Sequence, residues 1–251
     1  MQNSSPSAST ASLFSRFIIG FAAGFLGTVI LGIIIFLAWG IVGNTLSATE
    51  IAQSEFGVGL QTDKAHPLFL SIITLAIFLS TLIANLTHVF LSTIVDAKFK
   101  RRSTTLTQVF FGNLVILFLM LPVHLLASRE LGPSGIAISG ILHAILSTFF
   151  SIFVLEALHQ TKYLIVNVYG TVLGIILFFL VGLMFINVNP IMLVMLVLPL
   201  LFGMIALGNR IAELFYTWLC KNYGTDFLNM DTKFGEDYGV KDSPNSNDFD
   251  I

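Results

Sequence analysis

Residues 17–42, FIIGFAAGFLGTVILGIIIFLAWGIV, run for 26 positions without a charged side chain. About 20 apolar residues of helix cross the hydrocarbon of a bilayer, whereas the apolar core of a cleavable signal peptide holds only about 7–15. The run therefore reads as a permanent transmembrane helix, since lipid offers the backbone no hydrogen-bond partner and each span must satisfy its own N–H and C=O groups. The rest of the chain has the same character. It is 55% hydrophobic and 10% charged, with 24 Phe and a mean hydropathy of +0.90, against about 45–50% and 25% in soluble domains. Such a composition excludes a water-soluble domain and predicts an all-α, polytopic transmembrane bundle.

Outward from this run, residues 1–15 are rich in Ser and Ala and lack a basic residue until Arg16, which predicts a disordered leader. Downstream, residues 43–66 form a polar loop with Glu50, Glu55 and Asp63, and Pro67 suits the first turn of a second span over 68–95. Spans three and four are expected over 106–127 and 136–158, joined across 128–135 by a Gly-Pro turn. Spans five and six follow over 163–186 and 190–207. An amphipathic continuation to about residue 220, with Ile211, Leu214, Phe215, Trp218 and Leu219, suits the membrane interface. The six-span domain thus covers 16–220. Residues 221–251 carry Asp226, Asp231, Glu236, Asp237, Asp242, Asp248 and Asp250 and read as an acidic disordered tail.

Lys and Arg accumulate in cytoplasmic segments. With both termini inside, those segments hold ten of the 12 Lys and Arg residues, four of them at Lys98, Lys100, Arg101 and Arg102, while the outer loops hold Lys64 and Arg129. The expectation is a multi-pass protein of the plasma membrane with cytoplasmic termini. The bilayer is its first partner. The 98–102 loop and the acidic tail offer surfaces for a cytoplasmic protein, and contact with anionic lipid accounts for the basic loop without nucleic acid.

Polar residues inside spans are costly, so they mark candidate sites. In span two, Thr74, Thr81, Asn85, His88 and Ser92 share one helix face; in span four, Ser139, His143, Ser147 and Ser151 recur every fourth residue. Two roles fit these stripes: interhelical hydrogen bonding, or a polar path for a proton or small solute. A second group lies by depth toward the cytoplasmic end: Asn85, His88, Gln108, Asn113, Glu156, His159, Asn167, Asn209, Arg210 and Glu213. Glu156 with Arg210 is the expected ion pair, and Glu213, three residues beyond Arg210, can share the cation. Gly20, Gly24 and Gly27, with Gly170 and Gly174, have the spacing of close helix packing.

His124 with His143, and His88 with His159, lie at matching depths, the condition for bis-imidazole haem ligation. Neither pair has a recurring ligand spacing, and no cofactor or metal is predicted. The single cysteine, Cys220, excludes an internal disulfide. The chain also lacks a Walker A loop, a His-Glu-x-x-His helix, a pair of intramembrane aspartates and a Gly-rich dinucleotide turn.

Gly132-Pro133-Ser134-Gly135 resembles the Gly-x-Ser-Gly motif of rhomboid intramembrane proteases, which also opens the fourth of six spans from the outer side. The resemblance implies Ser134 as nucleophile and His66 on the oxyanion side. Rhomboids also need a sixth-span histidine as base, and residues 190–220 contain none; the asparagine that accompanies the span-two histidine falls at Leu70. The sequence therefore points first to a non-enzymatic subunit or scaffold of a membrane assembly. A small-solute or ion transporter comes second, and an inactive or divergent rhomboid-like protein third.

Overall fold

The computed structural model describes residues 6–45, 67–95, 99, 102–159, 163–185 and 190–223, and among them every element is a helix. Six helices are long and apolar enough to cross a membrane. The chain is thus built as a multi-pass integral membrane protein, as the composition predicts. In chain order the helices are α1 (Pro6–Thr45), α2 (Pro67–Val95), α3 (Ser103–Gly132), α4 (Ser134–Leu158), α5 (Leu164–Met184) and α6 (Pro190–Tyr223).

Three boundaries differ from expectation. α1 begins at Pro6, so residues 6–15, expected as disordered leader, extend the first helix by almost three turns. α3 and α4 run almost into each other, without the eight-residue connection expected over 128–135: Gly132 alone, at φ 57 and ψ −134, breaks the helical path. A side chain would oppose that backbone, and glycine adopts it readily. The amphipathic segment after residue 207 continues α6 without a break to Tyr223; Glu213 and Tyr216 are buried, while Phe215 and Trp218 are exposed. Most of the first outer loop, Lys98, Lys100 and Arg101 of the basic loop, and residues 224–251 of the acidic tail lie outside the described residues.

Neighbouring helices are antiparallel. Asn113 reaches Ser147 and Ser151 while His124 reaches Ser139 and His143, pairings whose residue numbers move in opposite directions along α3 and α4. The same holds for α1 with α6, where Ser12 meets Arg210, Gly20 meets Phe202 and Gly24 meets Leu198. The start of α1 and the end of α6 therefore share one side of the bundle, called here the terminal end.

Lipid tails are as apolar as leucine, so burial alone does not hold such helices together; close van der Waals packing must. Small residues permit it. Gly20 and Gly24 lie against carbonyls of α6, and Gly170, Gly174 and Gly208 bring the backbones of α5 and α6 together, so the glycine spacing serves internal packing. One core cluster centres on Leu201, Phe202 and Ile205 of α6, with Ala23, Ala84, Ala144 and Phe178 from four other helices. A second joins Val89, Val109, Val154 and Leu155 to Phe99, which is buried at the terminal end. α4 touches α5 only lightly, in contrast with the extensive α1–α6 and α5–α6 seams.

Candidate functional site

The two polar stripes meet inside the bundle, where they form three tiers along α4. From Ser139 to Glu156 they cover eighteen helix positions, roughly 25 Å at 1.5 Å per step, against about 30 Å of hydrocarbon.

The tier farthest from the terminal end joins α3 to α4. His124 Nδ1 is 2.8 Å from Ser139 Oγ, and His124 Nε2 is 3.1 Å from His143 Nδ1. The two imidazoles lie nearly parallel, with centroids 5.3 Å apart, and Phe78 meets the edge of His143. Ser139 also donates to Ile136 O at 3.1 Å, so in one arrangement it accepts from His124 Nδ1–H while His143 Nδ1–H donates to His124 Nε2. Moving one proton on each ring reverses the direction of the His–His bond. His143 Nε2 has no partner, and the residue is fully buried. Haem ligation would need the facing nitrogens of such a pair for iron; here His124 and His143 use them on each other.

In the middle tier, Asn85 Nδ2 of α2 donates to Ser147 Oγ at 2.8 Å and to Asn113 Oδ1 at 3.3 Å, and Ser147 Oγ also donates to Asn113 Oδ1. Asn113 Nδ2 donates to Val109 O at 2.7 Å and Ser151 Oγ at 3.3 Å. Three helices are thereby tied by neutral groups. Asn85 and Asn113, expected by depth with the charged residues, belong here instead, and Gln108 is exposed. Asn85 Oδ1 and Thr148 Oγ1 are buried without partners.

Charge is confined to the tier at the terminal end. Asn167 Nδ2 of α5 donates to Glu156 Oε1 at 2.7 Å and reaches Glu213 Oε1 at 3.4 Å, so one amide bridges two buried carboxylates. Arg210 Nη1 donates to Glu213 Oε2 at 2.9 Å, and its Nε donates to Ser12 Oγ at 2.7 Å. The ion pair expected between Glu156 and Arg210 is thus made by Glu213, one helical turn from the arginine, and Glu156 takes the Asn167 amide. Thr171 Oγ1 donates to Asn209 Oδ1 at 3.2 Å and braces α5 on α6. Glu156, Asn167, Asn209, Arg210 and Glu213 line a partly open cavity of about 30 Å³, together with Arg16, His88 and Ser92. His88 Nδ1 and Asn167 Oδ1, both on residues more than nine-tenths buried, have no partner. His159 stands apart, donating from Nδ1 to Leu155 O at 2.7 Å with Phe99 against its ring.

Ser134 is exposed beside the chain reversal, and the bonds of His124 go to Ser139 rather than to it. His66, the other residue implied by the rhomboid resemblance, lies outside the described residues. Ser139, His124 and His143 have the connectivity of a nucleophile, base and orienting group. Ser139 is only 1% exposed, which closes it to a substrate. Sequence reasoning missed Ser12, Arg16 and Thr171 as members of the charged tier. The spacing of Ser12 and Arg16, four residues apart on one helix face, was the available signal. Comparison with protein-family models, with curated proteins and with solved structures found no match.

Proposed function

We propose that this protein moves a small ion across its membrane through the polar file of α2, α3 and α4, with the terminal end facing the cytoplasm. The observation that carries the reading is the file itself: buried polar side chains recur at nearly every turn of α4 from Ser139 to Glu156, in surroundings where each such group is costly to insert. A need for interhelical hydrogen bonds accounts for the middle tier. It does not account for buried polar atoms left unpaired in all three tiers, at His143, Asn85 and Asn167. The cavity of about 30 Å³ has room for one or two water molecules, a scale that suits an ion rather than an organic solute. The cytoplasmic placement of the termini rests on the distribution of Lys and Arg.

The purified chain in sealed vesicles should pass an ion down an imposed gradient, and Asn85→Leu should reduce the flux to that of protein-free vesicles while still inserting. Equal flux in Asn85→Leu and the unaltered protein would falsify the reading. The scaffold reading rests on the charge of the 98–102 loop and the tail. It is tested by deleting residues 225–251, which should then strip co-purifying proteins from the complex.

A further inference from the structure

Resting on that reading, we infer that the ion is the proton and that it enters the file at the cavity lined by Glu156, Asn167, Glu213 and His88, with Glu156 as the group that takes it up. Two observations outside the acidic pair point to an occupant. His88 Nδ1 and Asn167 Oδ1 are unpartnered, buried, and on residues that line the same small cavity. Buried polar atoms are almost always satisfied, and a polar cavity of this size fits a bridging water.

The surroundings select between a proton and a metal cation. Every helix that contributes to the cavity brings a charged or titratable group except α5: Arg16 from α1, His88 from α2, Glu156 from α4, and Arg210 and Glu213 from α6. Asn167 is the contribution of α5. A resident alkali cation would keep its charge beside two guanidinium groups, with Glu213 already engaged by Arg210 at 2.9 Å, whereas a proton is covalently taken up and leaves no separate cation in the cavity. The space also falls short of a full oxygen shell, because calcium takes 6–8 oxygen ligands and a cavity for one or two waters holds few beyond the wall groups. Farther along, the file continues through paired imidazoles, ligands that suit transition metals rather than hard cations, yet groups that accept a proton on one nitrogen while releasing one from the other.

Uptake is then a simple exchange. A water in the cavity gives one proton to a Glu156 carboxylate oxygen, breaking one of its O–H bonds as the new one forms, and takes a replacement proton from the water on its cytoplasmic side, so that neutral water remains. Glu156 returns the proton through water to His88 and onward along the file. Asn167 is a positioning residue, holding the two carboxylates apart by donating to both.

The test uses a hydrophobic carbodiimide on the full-length protein in vesicles, with the modified residue identified by mass spectrometry. The reagent adds only to a protonated carboxyl, whose O–H adds across its C=N bond. Glu156 should be labelled, the labelling should disappear as pH rises, and sodium or potassium chloride should give no protection. Exposed Glu130 serves as the water-facing control. In parallel, Glu156→Gln should abolish proton uptake driven by a potassium diffusion potential. Absence of label at Glu156 at every pH overturns the proposal, as does protection by sodium. If sodium protects and sodium flux is seen, ion transport stands and the proton assignment falls. If Glu156 labels as expected but the unaltered protein moves no ion, the uptake site stands and the transport reading falls. The labelling arm needs no variant, so it decides even if Glu156→Gln does not assemble.

Discussion

The middle tier is made only of amides and hydroxyls and is almost wholly withdrawn from solvent, whereas the terminal tier gathers two buried carboxylates, an amide between them and a partly exposed guanidinium. Asn85, Asn113, Ser147 and Ser151 sit one or more turns deeper along α4 than Glu156, and all four are at most 1% exposed. Glu156 is two residues from the end of α4, and Arg210 keeps a side chain 28% exposed beside Glu213 at 9%. Depth sets the difference: a long cationic side chain toward the terminal end of the bundle can stretch toward headgroups, and at the midplane it cannot. The neutral tier can therefore tie its three helices without a counter-ion, while the charged tier depends on each partner being present.

That contrast makes graded predictions. The largest effect should come from Arg210→Met, which takes the guanidinium from the buried Glu213 carboxylate and should cost about 3–5 kcal/mol in unfolding from detergent. Arg210→Met with Glu213→Leu should recover most of it. A loss well below 1 kcal/mol in the single variant would break the distinction between the tiers. A smaller effect belongs to the middle tier. The coupling between Asn85→Leu and Asn113→Leu in a double-mutant cycle should be about 0.6–2 kcal/mol, the range of hydrogen bonds between membrane helices; a value near that of the ion pair would show the two tiers to be energetically alike. Smallest of all, Phe118→Ala, at a side chain 72% exposed on the outer face of α3, should change stability by no more than about 0.5 kcal/mol. A larger change would show that α3 has a partner on that face.

The six spans were legible because length and apolarity suffice to identify them, and the stripes of α2 and α4 were legible because helical spacing fixes a face. Residues that share a depth were also legible, as with His124 and His143. Partners within a depth were not. Glu156 and Arg210 line one cavity, but Glu156 meets Asn167 of α5 and the arginine pairs with its own helix neighbour. Sequence spacing carries no information about rotation between helices. The role of Ser12 was hidden for another reason: a Ser- and Ala-rich leader has the composition of a disordered segment, and nothing in it announces that Ser12 accepts from Arg210 of α6.

The single-residue reversal at Gly132 bears on how the bundle is assembled. With almost no chain between them, α3 and α4 can enter the bilayer as one antiparallel pair, their His124–His143 and Asn113–Ser147 bonds made before α5 and α6 have left the ribosome. The hydrogen-bonding capacity of these side chains is then largely met at the moment of insertion, and the later helices dock on a prefabricated wall. Replacing that glycine with a β-branched residue would strain the reversal on which this early pairing depends.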